Sequence, residues 1–191
     1  KTLWWDTICK EMKNVRPVFE VWEGKTDDIP PGYKEISCHL IFNVKLGEKF
    51  RRKARFVAGG HTTGTPDTIT YSSVVARDSV RVILLAAALN ELDVQAADIQ
   101  NAYLMADCRE KIWTVAGPEF GSERDTIMII KKALYGLKSS GTAFRAHLAN
   151  TLHNIGFCPS RADPDVWFRL AVKPDGKEYY EYILFYVDDI L

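Results

Sequence analysis

Apolar positions recur with a helical period in three stretches of the chain and with a strand period in several others. Between Trp5 and Val15, Ile8 and Met12 stand four apart, which predicts a short amphipathic helix closed by Arg16-Pro17. The clearest helical pattern follows Asp78 and Ser79, either of which can cap it. There Val80, Ile83, Leu84, Ala87 and Ala88 repeat at i, i+3, i+4, i+7 and i+8 and share one face. About Thr142 to Asn154, Phe144, Leu148 and Leu152 predict a further helix, with Gly156 as its C-terminal cap.

His39 to Lys45 and Phe50 to Ala58 predict a hairpin turning at Leu46-Gly47-Glu48, and Asp93 to Ile99 alternates as a strand that leads into Ala102-Tyr103-Leu104. Val166 to Val172 and Glu178 to Val187 predict a second hairpin. Its turn, Lys173-Pro174-Asp175-Gly176-Lys177, has a proline to preset one torsion and a glycine to accept positive φ. Ile29-Pro30-Pro31-Gly32 reads as a turn and Gly59 to Thr68 as a loop. Strands and helices interleave without a βαβ repeat, so the expected class is α+β, an antiparallel sheet with helices packed on one face.

With 191 residues, 47% of them hydrophobic, the chain can bury one domain core, or one domain with a smaller lobe. Val80 to Leu89 and Tyr182 to Val187, its longest apolar runs, fall short of the roughly 20 residues that cross a bilayer. No charged-then-apolar leader opens it, and the expectation is a soluble intracellular protein with no membrane partner. Cys9, Cys38, Cys108 and Cys158 form no C-x-x-C pair and are expected to be reduced, buried thiols. His39, His61, His147 and His153 show no metal-ligand spacing.

A formal net charge of zero gives no general affinity for phosphate, but its distribution is uneven. Lys45, Lys49, Arg51, Arg52, Lys53 and Arg55 cluster against Glu48 alone, on the second strand of the first hairpin, either as a solvated face or as a phosphate-binding one. The acid lies elsewhere, much of it in Asp107 to Glu110 and Glu119 to Asp125.

The strongest chemical signal is Tyr186-Val187-Asp188-Asp189, set between Tyr182-Ile183-Leu184-Phe185 and Ile190-Leu191. Adjacent carboxylates at the tip of an apolar hairpin repel each other, and a pair of divalent cations is the usual reason to hold them there. A two-metal phosphoryl-transfer site needs a further carboxylate from a separate strand. Asp98, at the end of a strand-like run, is the candidate; taken alone it would read as a turn or cap aspartate.

Six blocks in order resemble copia-type LTR retrotransposon reverse transcriptases: Arg52 to Ala58, Tyr71 to Val75, Asp98 to Leu104, Lys131 to Lys138, Asp163 to Val166, and Tyr186 to Leu191. Trp5, Glu11 and Pro30-Pro31-Gly32 resemble that family's opening as well. The resemblance implies the fingers and palm subdomains of a right-hand polymerase, fingers at about 1–73 and 107–141, palm at about 74–106 and 142–191. It implies RNA- and DNA-templated DNA synthesis from dNTPs on a DNA primer and an RNA template. Asp98, Asp188 and Asp189, with the Ile99 carbonyl, would hold two Mg²⁺ ions, Mn²⁺ being the alternative. They would activate the primer hydroxyl and neutralise the departing pyrophosphate.

By the same resemblance Lys53, Arg55, Gln100, Asn101, Ala102, Tyr103 and Ser139 would line the nucleotide. Lys53 and Arg55 would grip the triphosphate from one face of their strand, with Arg52 on the other. Tyr103 would exclude a 2′-hydroxyl beneath the sugar. Tyr186 and Gly141 would meet primer or template. One departure is visible: Lys138-Ser139-Ser140-Gly141 has Ser139 where the family usually has a glutamine, and Thr142 replaces a frequent arginine.

The absence of Met at position 1 and the stop at Leu191 raise the expectation of a piece of a longer polyprotein. It would be cut before the thumb, inactive by itself, and partnered by thumb, ribonuclease H and integrase segments. The expected location is the cytoplasm, in a virus-like particle, with the nucleus as alternative. Two other readings share the carboxylates: a degenerate, non-catalytic nucleic-acid-binding remnant, and a two-metal nuclease or phosphatase. The second has no use for Tyr103 or for the Lys53 and Arg55 strand.

Overall fold

A computed structural model describes residues 3–45, 50–61 and 70–191. The predicted Leu46-Gly47-Glu48 turn and most of the predicted Gly59 to Thr68 loop lie outside these residues. In chain order the elements are α1 (Trp5–Val15), β1 (Phe19–Val21), β2 (Lys34–Glu35), β3 (Cys38–Lys45), β4 (Arg51–Ala58), α2 (Arg77–Leu89), β5 (Ala97–Asp98) and α3 (Ala102–Met105). Then come β6 (Ile112–Val115), β7 (Ile127–Ile130), α4 (Ser140–Asn154), β8 (Cys158–Pro159), β9 (Val166–Val172), β10 (Glu178–Tyr186) and β11 (Asp189–Ile190). They gather into two units, Lys1–Tyr71 with Tyr103–Phe144, and Ser72–Ala102 with Arg145–Leu191. The class is α+β.

In the first unit, β1, β7, β6 and β2 form a sheet in that order, and β3 pairs with β4 as a separate hairpin. Ile112–Val115 and Ile127–Ile130 are largely apolar stretches of only four residues, too short to show a period, and sequence patterning misses both. The hairpin runs in register from Cys38 opposite Ala58 to Lys45 opposite Arg51. Helix α1 braces it: the Phe56 N–H donates to Glu11 Oε1 at 2.9 Å, and Met12 and Val15 enter the core. At the centre Phe19, Phe56 and Phe120 meet edge to face, with centroids 5.3 to 5.9 Å apart.

The second unit is a five-stranded sheet in the order β5-β11-β10-β9-β8, all antiparallel. The helices cover both of its faces, which corrects the expectation that they pack on one. Val166, Tyr182 and Leu184 join Val80 and Ile83 of α2, whereas Trp167, Ile183 and Phe185 join Leu148 and Leu152 of α4. The reason is in the strands themselves. Val166-Trp167 and Leu184-Phe185 are adjacent apolar residues, which alternation sends to opposite faces, and each face then needs cover.

Two local expectations are also corrected. Of Asp93 to Ile99 only Ala97–Asp98 is strand, because its partner β11 is itself two residues long; Val94 is exposed. Helix α2 starts at Arg77 without a cap from Asp78 or Ser79; the Ala76 N–H donates instead to Asp163 Oδ2 at 2.9 Å.

Cys9 and Cys158 are exposed, against the expectation of buried thiols; Cys9 is off the inward face of α1 and Cys158 sits on the edge strand β8. Burial pushes the Cys38 thiol up to about 12 and the Cys108 thiol up to about 11, so neither is a nucleophile at neutral pH. Among the described residues no helix is long and apolar enough to cross a membrane.

Candidate active site

Strand β11 lies between β10 and β5 and brings the acidic residues together. Asp189 is directly opposite Asp98 across β11 and β5, and opposite Tyr186 across β11 and β10. Opposed residues of an antiparallel pair point to the same face, so Asp98, Asp189 and Tyr186 form one row across three strands. The Ile99 N–H donates to the Asp188 carbonyl at 2.8 Å, which closes this edge of the sheet around the turn. Asp98 and Asp189, 91 positions apart, are thus fixed in register by backbone pairing.

The row borders an open cleft of about 700 Å³ on the α2 face, with Val75, Val80, Ala97, Leu184 and Leu191 as its apolar floor and Arg77 as its cation. Hard oxygen donors on an exposed rim suit Mg²⁺. The side chains have not converged around one point, however; among the described residues no group of three or more His, Cys, Asp or Glu is placed to hold a metal. Asp98 and Asp189 are exposed and Asp188 half-buried. Carboxylates are the donors a divalent cation takes, and bringing Asp98, Asp188 and Asp189 around one ion requires their side chains to rotate.

Tyr186 pairs with Asp189 around a two-residue loop whose first position, Val187, has φ of 60°. A two-residue hairpin with positive φ at its first position favours glycine there, and a β-branched residue is strained by roughly 1–3 kcal/mol. Glycine would return part of that gain as chain entropy, about 0.5–1 kcal/mol. Val187→Gly is expected to raise stability by about 1 kcal/mol, read as a higher urea midpoint at unchanged slope.

Beyond Ile99, Gln100 and Asn101 form a turn in which Asn101 has φ of 55°, a conformation asparagine tolerates well. Ala102 is buried at the start of α3, and Tyr103 belongs to the first unit. There it packs at a tilt against Tyr135, centroids 5.0 Å apart, and against Phe144 at 6.1 Å. The Arg55 guanidinium lies over this same Tyr135 ring, 4.7 Å from its centroid. Tyr135 thus joins two predicted nucleotide residues and was itself not singled out; its signal was its position within Lys131 to Lys138. Lys53, opposite Asn43, is half-buried on the same side of β4 as Arg55, and Arg52 goes to Trp4 on the other side.

Ser139 is 1% exposed, and both its hydroxyl and its N–H donate to Glu110 Oε1. The hydroxyl is committed inside the protein, so contact with a nucleotide would require that bond to open. Gly141 is half-buried in the first turn of α4, and Tyr186 is exposed.

Sequence comparisons agree with these blocks. A family model described as reverse transcriptase (RNA-dependent DNA polymerase) matches residues 19–191. The chain is 34% identical over 170 residues to the retrovirus-related Pol polyprotein from transposon RE1 of Arabidopsis thaliana, covering 85% of the chain and 11% of that relative. It is 31% identical over 169 residues to the corresponding polyprotein from transposon RE2 of the same plant, with coverages of 85% and 11%. To that from transposon TNT 1-94 of Nicotiana tabacum it is 28% identical over 174 residues, with coverages of 87% and 13%. The chain therefore spans about a tenth of the length of these relatives. No solved structure matches it significantly.

Proposed function

Because the chain belongs to the reverse transcriptase family, we propose that it carries the nucleotidyl-transfer site of a retrotransposon's RNA-directed DNA polymerase. The observation that supports this reading most directly is the pairing of Asp98 with Asp189, with the Ile99 N–H on the Asp188 carbonyl. That register puts carboxylates from two separate strands side by side, as a two-metal phosphoryl-transfer site requires.

In this reading Asp98, Asp188 and Asp189, with the Ile99 carbonyl, hold two divalent cations, Mg²⁺ or Mn²⁺. When bound, the cations supply Lewis acidity that makes the primer hydroxyl a better nucleophile and the pyrophosphate a better leaving group. The protein's own contribution is placement. Tyr186, exposed beside Asp189, would contact the primer end. Lys53 and Arg55 supply cations for the triphosphate, and Tyr103, stiffened by Tyr135 and Phe144, offers a flat wall against a 2′-hydroxyl. Gln100, Asn101 and Ala102 shape the turn between Asp98 and Tyr103. RNA template, DNA primer and dNTPs are the substrates of this reading, and the remaining polyprotein segments its partners.

The test is primer extension on an RNA template with Mg²⁺ and dNTPs, by the chain carried in its retroelement polyprotein, beside Asp188→Asn. Template-dependent extension that disappears in the variant is the expected result. A folded wild-type protein that binds primer-template yet extends nothing with either metal would leave the non-catalytic remnant as the reading.

A further inference from the structure

Strand β9 begins only at Val166, opposite Leu184, yet β10 runs on to Tyr186, so the last residues before the acidic turn need other partners on that side. Phe185 finds two. Its N–H donates to the Asp165 carbonyl at 3.2 Å and its carbonyl accepts from the Val75 N–H at 3.0 Å. These partners come from segments 90 residues apart in sequence, and one side chain joins them. Asp163 Oδ2 accepts from the Ala76 N–H at 2.9 Å, next to Val75, and Oδ1 accepts from the Asp165 N–H at 3.1 Å.

The Asp163 carboxylate is 9% exposed as a residue and takes a further hydrogen bond from the Ser79 hydroxyl. Burial alone would raise its pKa, but the bonds from Ser79, Ala76 and Asp165 and the charge of Arg145 outweigh burial and lower it. Asp165, also buried, is held in turn by Arg145 of α4, Nε to Oδ1 at 2.8 Å, while its Oδ2 has no hydrogen-bond partner among the described residues. A buried carboxylate that bridges two backbone segments costs desolvation unless several donors satisfy it, and here they do.

We propose that Asp163 is a positioning residue for the acidic hairpin: its carboxylate clamps together the two segments that hold the N–H and the carbonyl of Phe185, three residues before Asp188. The inference rests on the reading of Asp98, Asp188 and Asp189 as the cation site. A helix cap that only stabilised α2 would raise the unfolding free energy and leave the folded protein's metal affinity alone. A clamp sets where the tip of β10 lies, so its loss loosens the carboxylates while the chain stays folded.

The experiment measures Mn²⁺ affinity by electron paramagnetic resonance and amide exchange without metal, on wild type, Asp163→Ala, Asp163→Asn and Asp98→Asn, at a temperature where each is folded. Asp163→Ala is expected to weaken the Asp98-dependent Mn²⁺ site tenfold or more. It should also speed exchange at Val75 and Val187 to Asp189, with α1 unchanged. Asp163→Asn keeps one acceptor oxygen but turns an NH₂ toward the other N–H, so it should weaken the site by an intermediate factor, between wild type and Asp163→Ala. If Asp163→Ala does not fold, Ser79→Ala takes its place and should weaken binding twofold to fivefold, with the same exchange signature. Unchanged affinity and exchange in the folded variants would overturn the clamp alone. A wild type without an Asp98-dependent Mn²⁺ site would overturn the functional reading, and the clamp with it.

Discussion

In the proposed reading, replacing Asp98 with asparagine is expected to lower template-directed incorporation by about a thousandfold or more, equivalent to roughly 4 kcal/mol of transition-state stabilisation, and to leave the protein folded. The substitution keeps shape and removes charge. Asp98 is exposed and stands opposite Asp189, so the native arrangement sets two like charges directly across a strand pair. Such opposition destabilises a sheet, and neutralising one partner relieves it. Asp98→Asn should therefore unfold at the same urea concentration as wild type or a slightly higher one. Activity and stability moving apart is the signature of a carboxylate kept for chemistry. The check is single-nucleotide incorporation with Mg²⁺ and with Mn²⁺, beside urea unfolding. A variant that loses both together would make Asp98 an ordinary structural residue.

Gly136→Ala is expected to destabilise the first unit by about 3 kcal/mol or more, from three costs that add at one atom. Gly136 has φ of 93°, where a side chain is strained by about 1–2 kcal/mol. A Cβ there would lie 2.1 Å from the Ala58 carbonyl oxygen, with the rest of that residue's backbone close behind. The turn cannot retreat, because the Ala58 N–H donates to the Tyr135 carbonyl at 2.7 Å, and breaking a buried bond of this kind costs about 1–3 kcal/mol. Gly60 presses from the other side; its own added Cβ would lie 2.3 Å from the Gly136 carbonyl oxygen.

Gly176→Ala is the comparison. Its φ of 87° is similar, but nothing lies within 4 Å of the added carbon, so only the torsional strain of about 1–2 kcal/mol remains. Urea unfolding of the two variants separates strain from collision. Equal losses would mean that the contact between β4 and the Tyr135-Gly136 turn is looser than the geometry shows. A large loss at Gly136 would also displace Tyr135, the ring shared by Tyr103 and Arg55.

The two hairpins and the long helices were legible because each depends on a local period. His39 to Lys45 pairs as expected, Val166–Val172 is a strand over the whole predicted span, and the predicted helix Trp5 to Val15 has those bounds. The Gly156 cap has the positive φ, 89°, that its position after α4 calls for. The strands Ile112–Val115 and Ile127–Ile130 were not legible. Four largely apolar residues fit a strand, a helix turn or a buried loop equally, and only pairing with each other and with β1 and β2 decides.

For the site, the residues themselves carried the acidic turn and the basic strand, whereas Tyr103 was reached through the resemblance to a family. Carboxylates side by side on a hairpin and cations alternating along a strand are local facts, visible without a fold. Tertiary structure decided what each of these residues meets. Asp98 faces Asp189 because β11 inserts between β5 and β10. The sheet is covered on both faces because adjacent apolar residues point opposite ways and two helices answer them. Ser139 turns inward to Glu110, Tyr135 gathers Tyr103 and Arg55, and Asp163 reaches the start of a helix 87 residues away. Contacts of that separation leave no periodic trace in a sequence, since loop closure over such spans costs only slowly more with length and any distant partner competes on nearly equal terms. Which partner wins is settled by packing, and packing is a property of the whole fold.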